Sequence, residues 1–527
     1  MAILGWLRDP HAPRVCVISG DEGCGKSMFL AWLAEQATRP DTVVERRIHG
    51  LVPLAGQSAS TAAWLLAEQL GSAARTPGDL IAKVAADRRR TVIVMPDLHH
   101  SYTPEAIEEL IGALAQLEHV RLIVEAREVP APLLALNPAV MDLREPQWRD
   151  AQRHAAWAAS APTAPLDAPS GGADGPVELD DPRSVCAGDP GWVTASYGRS
   201  EASHGGLRAA WLRAGGALTR PCSAAERALV LWAALGDDAD PRLADELQEL
   251  AHGAPWSVRW KRVRGDIRPP WPGPAWALGV CPASGSVAVI DHQGVVRLVA
   301  AETGASHGRL PQPVFGAAQL AFGPTGDLAV LDGHGRMQHR LNPLVPRTTG
   351  LSSLLETALK PLERLVSAIE APATAAAHVG ESLAYGDRVG TVRVLTRHDD
   401  TVDVAHQALH TGAVTALAGV EVAEGALLFY SGGHDGRVRM WAPGRKPLAS
   451  ALRERNCAVT ALSAARTADG PVLVIGWEDG LVEYAAVHSA PAVRFFRPGA
   501  PVRSVAALSN GDVLVGTDET LVCLTPC

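Results

Sequence analysis

One short segment near the start of the sequence has the residue types and spacing of a phosphate-binding loop. Residues 20–27, GDEGCGKS, match the pattern GxxxxGK[ST] in full. The glycines allow a tight turn in which backbone N–H groups face a polyphosphate. Lys26 is expected to reach the outer phosphates of a nucleotide, and the Ser27 hydroxyl to bind Mg²⁺. The predicted nucleotide contacts are Gly20, Asp21, Glu22, Gly23, Cys24, Gly25, Lys26, Ser27 and Met28.

The segments around this loop must position it. An apolar run precedes the loop directly and a helix-like segment follows it, which is the order that a phosphate-binding loop requires. Further apolar runs alternate with segments of helical spacing as far as residue 158. This alternation predicts an α/β domain with a parallel sheet over residues 1–158. The predicted strands are 14–19, 42–49, 91–95, 121–125 and 139–143, and the crossover helices include 61–71 and 104–117.

Two segments with different sequence patterns follow this domain. Residues 159–182 are rich in Ala, Pro, Gly and Asp and offer little to bury, so we predict a flexible loop. Residues 183–255 return to helical spacing with capping and breaker residues between segments, which predicts a small helical module. Because the module is too small to stand apart, we expect it to pack on the nucleotide domain. Its predicted helices are 190–199, 206–214, 223–235 and 241–251.

Residues 256–527 contain a repeat of short strand-like runs. One turn glycine recurs at a period of about 42 residues, with apolar side chains on one strand face after it. This period predicts an all-β propeller, in which six units are countable and a seventh is left open. We also predict a helical insertion at about 351–370, and ring closure by pairing of 257–264 with the last blade. The aligned positions are Gly294, Gly335, Gly390, Gly436, Gly480 and Thr520.

The last half resembles the WD-repeat family of propellers. Residues 431–441, SGGHDGRVRMW, come close to the family's repeat signature, although Ala rather than Asp follows the Trp. His410, Asp435 and Asp479 stand where that family often has its structural His and Asp. The resemblance implies a domain that binds another macromolecule. We expect a protein partner, and we expect neither nucleic acid binding nor membrane insertion.

The first half resembles the STAND class of AAA+-like signal-transducing NTPases, of the bacterial signalling and defence type. Residues 91–97, TVIVMPD, stand where that class has a strand with an acidic end, and 121–127, RLIVEAR, resemble its sensor strand ending in arginine. Residues 188–190, GDP, resemble its GxP motif. The resemblance implies ATP or ADP with Mg²⁺ as ligand and a nucleotide-dependent oligomer. It assigns Asp97 and Arg127 to catalysis, Ser27 and Asp97 to the metal, and Pro190 to nucleotide binding.

Plainer interpretations of these residues stay open. Asp97 is also placed to cap a helix after its strand, Arg127 to be a solvated strand end, and Asp189 and Pro190 to begin a helix. The first acidic position of the strand end is Pro96, which leaves Asp97 as the carboxylate there. We therefore expect nucleotide binding with slow or absent hydrolysis. The chain begins close to its first strand, without the base-binding segment usual in that class, so base preference is open.

The sequence thus predicts a nucleotide-dependent molecular switch that recognises a macromolecular partner through its propeller. The alternative is a catalytically weak or inactive P-loop protein that acts as a propeller-based interaction scaffold. A conventional ATPase with turnover as its output has the least support, because no substrate site beyond the nucleotide is visible.

Composition and charge exclude several other classes of protein. A net charge of −9 argues against a chain that coats nucleic acid or an anionic membrane. Neither a spanning apolar run nor a secretory leader is recognisable, so we expect a cytoplasmic protein. The eight cysteines are scattered singly, which favours neither a zinc site nor disulfides. The side chains of His99 and His100 should diverge, with no third metal ligand evident. No Ser-His-Asp or Cys-His arrangement is discernible.

Overall fold

The chain forms two compact units. The computed structural model describes residues 2–38, 42–43, 46–148, 177–263, 275–281, 285–323, 326–341, 361–398, 401–422, 425–486 and 493–527. The first unit is Met1–His204 with Leu218–Pro221, and the second is Gly205–Ala217 with Cys222–Cys527. In the described part of the chain, no helix is both long and apolar enough to cross a membrane.

A five-stranded parallel sheet forms the centre of the first unit. The strand order is β2-β3-β4-β1-β5, and every adjacent pair runs parallel. The central strands are buried on both faces, which explains their unbroken apolar sequences. The predicted α/β fold with a parallel sheet is confirmed. The strands are β1 Val15–Ser19, β2 Gly50–Leu51, β3 Thr91–Met95, β4 Val120–Glu125 and β5 Ala139–Asp142.

Helices cover both faces of this sheet and bury two separate cores. Val15 and Val17 of β1 belong to the core under α3, α4 and α5, whereas Cys16 and Ile18 belong to the core under α1 and α2. Successive side chains of a strand point to opposite faces, so one apolar strand serves both cores. The helices are α1 Ala2–Arg8, α2 Lys26–Thr38, α3 Ala59–Gln69, α4 Pro77–Ala86, α5 Pro104–Ala115 and α6 Ala131–Leu134.

The predicted strand 42–49 is wrong in its described part. Residues 46–49 are not a strand, and the strand is confined to Gly50–Leu51. The reason is that hydrogen bonding to β3 begins only at His49, whose N–H donates to the Val92 carbonyl at 2.8 Å. An apolar alternation predicts an extended segment, but a strand also needs a neighbour along its length.

The helices of residues 183–255 divide between the two units. α7 (Pro182–Ala187) and α8 (Pro190–Arg199) lie in the first unit. In the second unit, Arg213 of the next helix donates to Glu519 at 3.1 Å, and Lys261 donates to the Leu235 carbonyl. The packing of this module on the nucleotide domain stays a prediction. The helices after α8 are grouped with the propeller strands. They are α9 Leu207–Leu218, α10 Ala224–Ala234 and α11 Pro241–Leu250.

The described residues of the C-terminal region form a six-bladed β-propeller. Each blade is one antiparallel sheet. The innermost strand of each blade contacts that of the next blade, and the sixth contacts the first, so the strands form a closed ring. Six blades agree with the six countable units. The first three blades are β7 Ala277–Val280, β8 Ser286–Ile290, β9 Val296–Ala300 and β10 Ser306–Arg309; β11 Ala317–Phe322, β12 Leu328–Asp332 and β13 Met337–Arg340; and β14 Ala375–Val379, β15 Ser382–Gly386, β16 Thr391–His398 and β17 Thr401–Ala408.

The last three blades complete the ring and include one strand from far upstream. β6 pairs antiparallel with β28, from Val263 opposite Thr520 to Trp256 opposite Pro526. The predicted closure by residues 257–264 is confirmed, and this pairing covers the edge of the last blade. The strands are β18 Val414–Glu421, β19 Leu427–Gly433, β20 Arg437–Trp441 and β21 Arg453–Glu454; β22 Val459–Thr467, β23 Gly470–Trp477, β24 Val482–Ala486 and β25 Arg494–Phe496; and β26 Ser504–Ala507, β27 Val513–Gly516, β28 Thr520–Pro526 and β6 Trp256–Val263.

The repeated turn glycines have a steric cause. Gly294, Gly390 and Gly436 all have positive φ. A Cβ at Gly390 would lie 2.1 Å from the His410 carbonyl oxygen, and one at Gly436 would lie 2.0 Å from that of Arg455. In both cases the carbonyl belongs to the connection into the next blade. Only glycine allows this close approach, which is why the glycine marks the repeat.

Two predicted segments lie partly outside the described residues. Of the helical insertion at about 351–370, the structure describes residues 361–370, which contain α12 (Pro361–Ser367). Of the loop predicted at 159–182, it describes residues 177–182, where α7 begins.

Candidate functional site

The predicted phosphate-binding loop joins β1 to α2 and folds around the Lys26 ammonium. Gly20, Gly23 and Gly25 all have positive φ, at 147°, 76° and 95°, as a tight turn requires. Lys26 is only 6% exposed, and its Nζ donates to the Gly20 carbonyl at 2.8 Å and to the Asp21 carbonyl at 2.9 Å. The loop therefore places a positive charge at the N-terminus of α2, which favours an anionic ligand.

This loop lies where the strand order of the sheet reverses. The chain leaves β1 towards β2 on one side, passing β4 and β3, and leaves β4 towards β5 on the other side. Neighbouring strands with outgoing connections in opposite directions leave a crevice at their carboxyl ends, and ligands of open α/β sheets bind there. Lys26 follows β1 and Glu125 ends β4, so the two residues meet at this crevice.

Glu125 is a site residue that the sequence analysis missed. Its carboxylate is 1% exposed, and its Oε1 lies 3.8 Å from the Lys26 Nζ. Burial and then the Asp97 charge raise the pKa of Glu125 to about 7, although the Lys26 charge and a backbone hydrogen bond from Asp97 oppose this rise. The signal was present in the segment RLIVEAR, where a charged residue inside an apolar strand is unusual.

Asp97 lies at the same edge of the sheet in a strained backbone conformation. β3 ends at Met95, and Asp97 has φ 59° and ψ 42°, in the left-handed region that residues other than glycine rarely adopt. The strand does not continue through Asp97, so strand alternation does not set its direction. Asp97 occupies the N-cap position of the short 3-10 helix Leu98–His100, but its side chain makes no capping hydrogen bond. The helix-cap interpretation is therefore wrong.

The two histidines after Asp97 do not diverge as expected. The rings of His99 and His100 lie with centroids 3.9 Å apart. Their ligand atoms and one of Asp97 all lie within 4.8 Å of one another, so Asp97 is the third group that the sequence did not reveal. Both histidines are exposed. Burial and then the His100 charge lower the pKa of His99.

Arg127 lies against the loop at the surface. Its Nη2 donates to the Glu22 carboxylate at 2.9 Å, and its carbonyl accepts a hydrogen bond from the Gly20 N–H at 3.3 Å. Both side chains of the ion pair are largely exposed, so the pair itself contributes little stability. The structure thus brings Arg127, Glu22 and the loop together, and the catalytic role of Arg127 stays a prediction.

Pro190 has the position that the plainer interpretation assigns to it. It is the first residue of α8, and the Asp189 side chain caps that helix by accepting from the Trp192 N–H at 2.8 Å. The next residue, Gly191, packs so closely that a Cβ there would lie 2.1 Å from the Gly56 carbonyl oxygen. This contact joins α8 to the loop before α3. A role of Pro190 in nucleotide binding stays a prediction.

A Ser-His-Asp arrangement occurs in the propeller, although none was discernible in the sequence. His410 Nε2 lies 2.8 Å from Ser431 Oγ, and its Nδ1 lies 2.9 Å from Asp435 Oδ1. The His410 side chain is 0% exposed, and Ser431 is buried as well. Because no substrate reaches a hydroxyl enclosed in this way, the arrangement is structural. It ties the connection between two blades to β19.

These buried groups make the propeller's stability dependent on pH. Burial lowers the pKa of His410 below 6.5, with the Asp435 hydrogen bond opposing it, and burial also lowers the pKa of His378. Below pH 6.5 the unfolded chain therefore binds protons that the folded chain does not. We expect the thermal midpoint of the full chain to fall as the pH drops from about 7 to about 5. Differential scanning calorimetry across that range checks this, and a constant or rising midpoint contradicts it.

The comparisons with known proteins identify no family. No family model matches the chain, and no curated protein matches it either. A solved structure described as "Structure of U3-55K" is 14% identical, with a TM-score of 0.33, and the match covers 51% of this chain and 98% of that one. "Crystal structure of RRP9 WD40 repeats" is 13% identical, with a TM-score of 0.33, and covers 51% and 99%. This chain is similar to both in its propeller half, and a likeness at this level carries no conclusion about function.

Proposed function

We propose that the protein is a nucleotide-dependent switch. Its first unit binds ATP or ADP with Mg²⁺, and its propeller holds a protein partner whose binding depends on the nucleotide. The observation that carries the proposal is the loop around Lys26, with three glycines of positive φ and a buried ammonium at a helix N-terminus. This loop lies at the crevice between β1 and β4, where a ligand of such a sheet is expected.

The residues around the loop fit a magnesium nucleotide. Ser27 lies in the first turn of α2, and Asp97 lies beyond the end of β3 at the same edge of the sheet. A hydroxyl and a carboxylate are oxygen ligands of the kind that Mg²⁺ prefers. The left-handed conformation of Asp97 is a local cost of a kind that clusters at ligand sites. Ser27 and Asp97 would hold the metal, and Lys26 the outer phosphates.

The propeller offers a surface for the partner. At one end of the inner strands a cavity of about 80 Å³ is lined by Trp276, Gln319, Arg503 and mostly alanine and leucine residues of all six blades. Trp276 is 41% exposed, and the Arg503 guanidinium lies 5.1 Å from its ring centroid. Tryptophan and arginine are the residues that most often anchor protein interfaces. We place the partner at this end of the ring.

A capture experiment tests the switch. The full chain is used as bait in native extract with Mg²⁺ and either ADP or a non-hydrolysable ATP analogue, and Lys26→Ala serves as the matched bait. We expect recovery of at least one protein to change about tenfold between the two nucleotides for the wild type, which corresponds to about 1.4 kcal/mol of coupling. The Lys26→Ala bait should show no such change.

The alternative function is a scaffold whose loop has no regulatory role. Pro96, at the first acidic position after β3, is the observation that favours it. Under this alternative the same proteins are recovered with either nucleotide, and with both baits. That outcome would replace the switch with the scaffold.

A further inference from the structure

Glu125 is a buried carboxylate whose hydrogen bonding is incomplete. Its Oε2 is buried and has no hydrogen-bond partner among the described residues. Its Oε1 lies 3.8 Å from the Lys26 Nζ, which is beyond hydrogen-bond distance. A buried carboxylate without full hydrogen bonding destabilises a fold. Glu125 is therefore a candidate for a role other than stabilising the fold.

The position of Glu125 in the sheet indicates what this role is. It is the last residue of β4, which lies directly between β1 and β3 in the sheet. Lys26 follows the end of β1, and Asp97 follows the end of β3. β3 and β4 are adjacent and parallel, so Asp97 and Glu125 lie at the same edge of the sheet. Glu125 therefore lies between the group expected to bind the outer phosphate and the group expected to bind the metal.

We propose that Glu125 is the catalytic carboxylate that orients the water attacking the outer phosphate of a bound nucleoside triphosphate. The proposal rests on the proposed nucleotide binding. The water oxygen forms a bond to the outer phosphorus, and the bond from that phosphorus to the bridging oxygen breaks. The bridging oxygen leaves with the electron pair on the nucleoside diphosphate. The water proton passes to Glu125 and from there to solvent.

This assignment gives metal binding and water positioning to two different carboxylates. The sequence predicts slow or absent hydrolysis because Asp97 is the carboxylate at the end of β3 and Pro96 takes the first acidic position. With Glu125 on the neighbouring strand, Asp97 serves the metal and Glu125 the water. The structure therefore removes the premise of that expectation, although the rate itself stays a prediction.

The test compares Glu125→Gln with Glu128→Gln in the full chain. Glu128 is an exposed carboxylate three residues further on and serves as the matched control. Three quantities are measured: phosphate release from Mg²⁺-ATP in a single turnover, affinity for a non-hydrolysable ATP analogue by calorimetry, and the thermal midpoint without nucleotide. We expect Glu125→Gln to slow phosphate release about a hundredfold, as removal of a general base does. Affinity for the analogue should stay within about threefold, because water positioning is needed only for the reaction.

The thermal midpoint separates this role from a structural one. Glutamine keeps the shape of the side chain and removes a buried charge whose Oε2 has no hydrogen-bond partner, so the midpoint of Glu125→Gln should equal or exceed that of the wild type. A lower midpoint with loss of both activities shows a structural residue and overturns the proposal. A tenfold loss of analogue affinity that high Mg²⁺ restores shows a metal ligand and also overturns it. Analogue binding without phosphate release by the wild type overturns it too, whereas absence of analogue binding refutes the proposed function itself.

Discussion

Replacing Lys26 with alanine is expected to abolish most of the stabilisation that a magnesium nucleotide gives the wild-type protein. A ligand at about 100 times its Kd stabilises a folded protein by about 2.7 kcal/mol through mass action. Lys26 carries the buried positive charge of the loop, and its ammonium is the group placed to face the outer phosphates. Without that charge, affinity falls and the stabilisation at the same ligand concentration falls with it. The thermal shift with Mg²⁺-ADP and with Mg²⁺-ATP measures the effect.

A matched variant controls for a general effect of losing a lysine. Lys446 is an exposed lysine of the propeller half, and Lys446→Ala should keep the full nucleotide shift. Since Lys26 also donates to two loop carbonyls, the midpoint of Lys26→Ala without nucleotide must be measured as well. Equal nucleotide shifts in the wild type and in Lys26→Ala would show that the loop does not bind a nucleotide.

Replacing Trp260 with alanine is expected to destabilise the propeller by about 3–5 kcal/mol, the usual cost of deleting a large buried side chain. Trp260 is on β6, the strand that completes the last blade, and is 9% exposed. Its Nε1 donates to the Ala301 carbonyl of the first blade at 2.8 Å. Its ring covers Gly304 so closely that a Cβ there would lie 2.5 Å from a ring atom. Trp260 therefore connects the last blade to the first through one hydrogen bond and the packing of its ring.

Trp276 provides the comparison for this variant. It is the same residue type in the same propeller, but it is 41% exposed. Trp276→Ala should therefore cost clearly less stability than Trp260→Ala. Urea denaturation of the full chain, followed by circular dichroism, measures both free energies of unfolding. Equal losses in the two variants would show that the contact between β6 and the first blade does not hold the ring closed.

Features that depend on neighbouring residues could be predicted from the sequence. The phosphate-binding loop is eight consecutive residues whose glycines set its backbone, so its conformation follows from local conformational preferences. β3 begins and ends where the apolar run predicts, at Thr91 and Met95. The blade glycines were visible because four of the blades repeat the same close contact between a turn and the next connection.

Contacts between residues that are distant in the sequence depend on the tertiary fold and could not be predicted in this way. Glu125 lies 99 positions from Lys26, and their contact depends on the placement of β4 beside β1, which no local pattern encodes. His410, Ser431 and Asp435 likewise come together only when two blades pack. Strand order and blade packing depend on the free energy of burying apolar surface over the whole chain. No single segment determines that free energy. The loop was therefore predictable from its own residues, whereas the carboxylate that completes the candidate site was not.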